Sequence, residues 1–160
     1  MKKLILIAFL GLAFANANSK ANKTNLVTIN LKSYQQKVVV DKKGKRVTKW
    51  VKPTKVVPGT IIKYENSIVN SSQNNLEQAV VTNKIDKNVI FLPKSIESKL
   101  KYSVKYSLDG KNFADAKELY IKKDGKKYLA NPKDYRAVRF NLINIPANKT
   151  SKISYQVKVK

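Results

Sequence analysis

The last stretch of the chain alternates without a break: Ile153, Tyr155, Val157 and Val159 are interleaved with Lys152, Ser154, Gln156, Lys158 and Lys160. Successive side chains of a strand point to opposite faces, so this spacing sets one face against a core and the other in water. A helix would scatter the same residues around its circumference. The period recurs at Val138, Phe140 and Leu142 around Arg139 and Asn141, and at Val104, Tyr106 and Leu108 around Lys105 and Ser107. It recurs again at Ile62, Tyr64 and Ile68 around Lys63, Glu65 and Ser67, with Asn66 interrupting the apolar face. Shorter β-rich runs occupy Leu26–Leu31, Lys37–Val40, Val47–Val51, Ala79–Thr82 and Val89–Leu92. No window of a dozen residues holds a 3.6 period.

Turn chemistry divides these runs. Lys43-Gly44, Asp109-Gly110 and Asp124-Gly125 stand between strand-like segments, as hairpin tips do where φ > 0 is required. Pro58-Gly59, Asn74-Asn75, Pro93 and Asn131-Pro132 mark other reversals. Closely spaced short strands with turns between them predict an all-β antiparallel sandwich of about 7–10 strands rather than a parallel sheet. Residues 37–51 read as an extra N-terminal hairpin with a basic tip made by Lys42, Lys43, Lys45 and Arg46.

The first residues read as an address. Met1-Lys2-Lys3 is a short basic start, Leu4 to Phe14 is an apolar run of eleven, and Ala15-Asn16-Ala17 supplies small residues where a signal peptidase needs them. Eleven residues fall short of the about 20 that a membrane-spanning helix takes. The expected organisation is therefore a signal peptide at 1–17, an N-terminal strand and basic hairpin at 18–52 packing on the sandwich, and the sandwich domain at 53–160. Export to the periplasm or the cell surface follows from the leader. Oxidising compartments permit disulfides, yet the chain has no cysteine, so a packed core must supply its stability. A chain of this size buries about two-thirds of its unfolded surface, which is enough without covalent staples.

One segment carries a resemblance. Pro58-Gly59-Thr60-Ile61-Ile62-Lys63-Tyr64 leads to Ile68-Val69-Asn70, then to Gln78-Ala79-Val80-Val81-Thr82-Asn83 and Phe91-Leu92-Pro93-Lys94-Ser95. Tyr106-Ser107-Leu108-Asp109-Gly110-Lys111, Tyr135-Arg136-Ala137-Val138-Arg139-Phe140 and Ile145-Pro146 follow. In order and spacing this resembles the bacterial conserved-repeat domain known as domain of unknown function eleven. Asn83 stands where that family usually has Asp, and Ala147-Asn148 replaces its usual Gly. The resemblance covers about residues 53–160 and implies an immunoglobulin-like Greek-key sandwich on exported or cell-surface proteins, used as a spacer or adhesive module. It implies no catalytic residues.

Chemistry is constrained by what is missing. Without His or Cys there is no Ser-His or Cys-His nucleophile and no ordinary zinc site. A glycosidase needs two facing carboxyls, and Asp115 with Glu118 is the one close pair in sequence, set among lysines that would keep both ionised. Asp109, Asn112 and Asp115 are spaced by threes, not by the twos of a calcium loop. Ser95-Ile96-Glu97-Ser98-Lys99 contains a Ser-x-x-Lys string, a pattern that a lysine-rich chain produces by chance. These residues are expected as surface charges and turn formers, with no catalytic, metal or cofactor site among them.

Charge is the remaining clue. Lys+Arg number 33 against 10 Asp+Glu, a net charge of +23, or +21 once residues 1–17 and their two lysines are removed. Nucleic-acid sites favour Arg for bidentate contacts and interleave aromatics for stacking. Here the only arginines are Arg46, Arg136 and Arg139, with lysines spread along the chain, so no specific nucleic-acid site is expected. Attraction to an anionic envelope polymer, whether lipid headgroup, teichoic acid or acidic glycan, suits point-charge lysines. A+T-rich coding bias would produce the same lysine excess. Lysines also guard sheet edges, as Lys152, Lys158 and Lys160 are placed to do. Trp50 is expected as a lid over the core, with an aromatic binding anchor as the other reading; Tyr120, Tyr128 and Tyr135 are expected at the core's edge, with a glycan-binding surface as the other reading. The reading is a non-enzymatic exported structural or binding module that associates with anionic envelope polymer or with another envelope protein. The alternatives are a strand-pairing assembly or pilus-related factor, with Leu26–Leu31 as donor, and an envelope-polymer hydrolase.

Overall fold

The computed structural model describes residues 26–160; the expected signal peptide at 1–17 lies outside them. The described residues form ten strands and one 3-10 turn, Ala116–Glu118. In chain order the strands are β1 (Val27–Val40), β2 (Arg46–Val51), β3 (Ile61–Asn70), β4 (Leu76–Lys84), β5 (Val89–Ser98), β6 (Tyr102–Ser107), β7 (Tyr120–Lys123), β8 (Lys126–Leu129), β9 (Ala137–Ile145) and β10 (Lys149–Val159). One sheet runs β2-β1-β3-β10-β5, a second runs β4-β9-β6, and β7-β8 is a separate two-stranded hairpin. Neighbouring strands in the sheets are antiparallel throughout. The chain changes sheet at β3–β4, β4–β5, β5–β6 and β9–β10.

The alternation seen in the sequence becomes the core. Ile62, Ile68, Phe91, Ile153, Tyr155 and Val157 from the larger sheet meet Val81, Tyr106, Val138, Phe140 and Leu142 from the smaller one, all buried. Aromatic rings bridge the two layers. Phe91 lies 5.2 Å from Tyr155 and 5.4 Å from Tyr106 between ring centroids, and Tyr106 stacks on Tyr135 at 4.4 Å. Tyr155 in turn stacks on Tyr64 at 5.4 Å. Such pairs contribute about 0.5–1.5 kcal/mol each beyond their buried area. The Tyr155 hydroxyl accepts a hydrogen bond from Asn83 Nδ2 at 3.1 Å, so this fully buried phenol is not left unpaired. Asn66, which breaks the apolar pattern of β3, points inward with the same face and is 1% exposed.

Three expectations need correction. The runs Leu26–Leu31 and Lys37–Val40 are one continuous strand, because the polar residues between them lie where β1 changes partner. From Val27 to Gln35 it pairs with β3, and from Gln35 to Val40 it pairs with β2 on its other side. Gln35, at the exchange point, is buried: its Nε2 donates to Lys55 O at 3.2 Å and its Oε1 accepts from Thr54 N at 3.3 Å. The amide thereby straps the β2–β3 crossover to the strand. Pro93 does not reverse the chain. It sits within β5, an edge strand that can spare an N–H, at a break in register against Ser154 and Gln156. Ser95 fills that break, donating to Leu92 O at 2.6 Å and accepting from Gln156 N at 2.7 Å. Asp109-Gly110 does not tip a two-stranded hairpin either, since β6 pairs with β9 and the chain returning from this turn meets it at a single bridge, Tyr106 to Ala114.

The expected boundary at 52/53 falls in the crossover between β2 and β3, and β1 is a full member of the larger sheet. The basic hairpin is found where the sequence places it. Because the pairing of β1 with β3 ends at Gln35 and Ile62, one residue from the start of β3, the ribbon from Gln36 to Trp50 runs past the end of the sheet.

Candidate functional site

Lys42, Lys43, Lys45 and Arg46 are all exposed at the tip of the β1–β2 ribbon. The turn that displays them is built by Asp41. Its Oδ1 accepts from Lys43 N at 2.8 Å and Lys45 N at 2.9 Å, and its N–H donates to Lys45 O at 2.8 Å. Gly44, at φ 76, supplies the left-handed residue that the turn needs. One carboxylate is thus committed to backbone geometry inside a cluster of four cations.

A second lysine tip escapes a reading of the sequence alone. In β7–β8, Lys122 lies directly opposite Lys127 and Lys123 opposite Lys126, around Asp124-Gly125. Both turn residues have positive φ, 52 and 74, the backbone of a tight hairpin whose twist matches its strands. Like charges placed opposite one another destabilise a strand pair, so this register works against the hairpin's own stability, offset in part where Lys127 lies over the Tyr120 ring. The string Lys122-Lys123-Asp124-Gly125-Lys126-Lys127 is the available signal. It reads as a turn, and only the register shows the lysines paired face to face.

Both hairpins branch from the same end of the sandwich. The first passes the end where β3 starts; the second is inserted between Ser107 and Ala137, where β6 stops and β9 starts. Lys84↔Ala137 closes the smaller sheet there, and Val89↔Val159 with Ile61↔Lys158 closes the larger one. They stand on opposite flanks, since β1 and β2 form one margin and β6 lies over β5 through the Phe91–Tyr106 contact.

Each tip has an aromatic residue near its base. Tyr120 is exposed, with Lys127 Nζ 4.3 Å from its ring centroid. Trp50 is half-buried, but it is no lid over the core. Its partner is Gln36, which points away from the core because Gln35 points into it. Trp50 lies on the outer surface of the sheet, where Lys63 Nζ sits 5.1 Å from its ring and 5.8 Å from that of Tyr34. Tyr120 and Tyr128 are likewise exposed rather than packed at the core's edge, whereas Tyr135 is in the core. A groove of about 600 Å³ crosses the same outer surface, lined by Lys63, Glu65, Glu97, Lys99, Lys149 and Lys152 among others. Its charge is partly cancelled by the Lys152–Glu65 ion pair at 2.9 Å.

The remaining polar candidates have local structural work. Glu118 Oε2 accepts from Asp115 N at 3.3 Å, so the close carboxylate pair caps the 3-10 turn. Asp109 accepts from the N–H groups of Lys111 and Asn112, each at 2.8 Å, and from Ser107 Oγ at 2.8 Å and Asn112 Nδ2 at 2.7 Å. These donors, the two backbone N–H groups first, hold its carboxyl well below the usual carboxylate range. Ser98 Oγ donates to Lys152 O at 3.0 Å, joining β5 to β10. Burial pushes the Tyr106 phenol up to about 12 and that of Tyr155 higher still. Among the described residues no three carboxylates converge on one point. Comparisons with family models, with curated proteins and with solved structures return no match for this chain.

Proposed function

We propose that this chain is a non-enzymatic, exported binding module of the bacterial cell envelope that holds an anionic polymer between its two lysine hairpins. The observation that carries the reading is the pair of cationic hairpins that branch from one end of the sandwich, one of them built with lysines opposite lysines. A solvated surface leaves the repulsion between the facing lysines standing, whereas an anionic chain laid across it would relieve it. Lysine is well matched to such a ligand, since a compact, strongly hydrated charge attracts phosphate or carboxylate without fixing its geometry. About 1 kcal/mol per near-surface lysine accumulates over several contacts. The leader-like start at 1–17 and the resemblance to the conserved-repeat domain support the envelope placement and an immunoglobulin-like strand plan.

The test uses residues 18–160 and two immobilised polymers, a poly(glycerol phosphate) and a polygalacturonate. Retention should fall steeply as salt rises from about 50 mM to about 500 mM, because screening shortens the reach of each charge. Replacing Lys42, Lys43, Lys45 and Arg46 by Glu, or Lys122, Lys123, Lys126 and Lys127 by Glu, should each weaken binding about tenfold or more at low salt. Binding that ignores salt, or that survives both replacements together, would defeat the proposal.

A further inference from the structure

Each residue of an antiparallel strand directs its N–H and C=O to the same side, and the side alternates along the strand. In β1 that alternation can be fixed at both ends. Leu26 O accepts from Ser71 N at 2.7 Å, so even-numbered residues turn toward β3. Asp41 N donates to Lys45 O at 2.8 Å, so odd-numbered residues turn toward β2. But β2 stops at Val51, opposite Gln35, and the chain leaves over Pro53 under the hold of the Gln35 amide. Val27, Ile29, Leu31 and Ser33 therefore present their backbone N–H and C=O outward, and among the described residues no strand meets them. The open stretch from Val27 to Tyr34 is about 26 Å long at about 3.3 Å per residue. It is closed at one end by β2 and lies in line with it.

Such an edge is usually guarded by proline, a bulge or several charges. The opposite margin, β5, carries Pro93, Lys94 and the register break. From Val27 to Tyr34 there is no proline and no bulge, and Lys32 is the one charged residue. β4 is also open on one side, yet its inward residues Ala79, Val81 and Asn83 are already buried, so a strand added there would find only Leu76 and Val80 as half-buried apolar residues. At β1 the inward residues Val27, Ile29 and Leu31 are only half-buried. On the other face Lys32 is exposed, and its cross-strand neighbour Glu65 is held by Lys152.

We propose that the outer edge of β1 is a docking site for an extended strand of a partner protein, with apolar residues alternating with Asp or Glu. The apolar side chains cover Val27, Ile29 and Leu31, and a carboxylate meets Lys32. The large positive charge of the chain opposes a second copy in this place and selects an acidic partner. The run Leu26–Leu31, expected as a strand donor, is already paired to β3; it offers the accepting edge instead.

The probe is a capped ten-residue peptide alternating valine with glutamate, beside its valine–lysine counterpart, titrated into residues 18–160 with amide exchange read residue by residue. The glutamate peptide should protect the amides of Val27, Ile29, Leu31 and Ser33, and the lysine peptide should not. Leu31→Pro removes an outward N–H that β3 does not use, and should cut affinity tenfold or more with the melting transition kept. Ser33→Pro is the second such variant, and Val80→Pro on the open side of β4 should change nothing. Protection at β4 instead of β1, equal binding of the two peptides, undiminished affinity in a folded proline variant, or self-association through β1 would each overturn the proposal.

Discussion

Asn70, at the end of β3, carries a larger share of the structure than its polar sequence context suggests. Its Nδ2 faces Asn74 O at 3.0 Å and Ile145 O and Pro146 O at 3.2 Å each, and its Oδ1 accepts from Ser72 N at 3.1 Å and Ser72 Oγ at 2.7 Å. One buried amide thus ties the β3–β4 turn to the β9–β10 turn. Asn70→Ala strands several carbonyls and should cost about 2–4 kcal/mol, seen as a lower denaturant midpoint with an unchanged slope. Asp109 gives a pH signature. Its folded carboxyl is held down from an ordinary value of 3.8, so the stability it contributes is complete above that value and is lost as pH falls through the folded one. The stability gap between the native chain and Asp109→Asn should therefore narrow on going from about pH 5 to about pH 2, and a constant gap would sink this account. Neither residue's full role is legible in the sequence. Asn70 and Gln35 look like ordinary polar residues until partners 75 and 20 positions away arrive, whereas Asp109 before a glycine announces at least its turn.

Elements are far more legible, because a strand's inward face is a local property and period two survives in the sequence. β9 and β10 stand where the alternation of Val138–Leu142 and Ile153–Val159 puts them, and the basic hairpin is recovered with its tip. Continuity is what the pattern hides. β1 passes from one partner to the other at Gln35, and the polar residues Lys32–Gln36 around that point hide from the sequence that the strand is continuous. β5 continues through Pro93 because its outer side needs no donor, and Ser95 repairs the ladder. β7–β8 has the reverse problem: its turn is plain, but its cross-strand lysine pairs exist only in the register. The candidate site is thus half visible, one tip from composition and the other only from pairing.

At the scale of the whole molecule, 33 cationic side chains against 10 carboxylates set the energetics of the surface. Several of those carboxylates are held at turns and caps, as Asp41, Asp109 and Glu118 are, and the ten together leave most of the cationic charge uncompensated. Folding brings like charges together, and the compact state carries an electrostatic penalty that screening should relieve. Raising NaCl from about 50 mM to about 500 mM should then stabilise the chain by about 1 kcal/mol, a rise of a few degrees in Tm for a domain of this size. A protein resting on surface ion pairs would move the other way. The same penalty links stability to function. A polyanion bound only by the folded state stabilises it by mass action, so poly(glycerol phosphate) at low salt should raise Tm beyond what NaCl achieves at equal ionic strength. With both hairpins converted to glutamate the excess over NaCl should vanish while the fold persists. If polymer and simple salt prove equivalent in the native chain, the lysines act as a diffuse charge, and the two tips do not constitute a site.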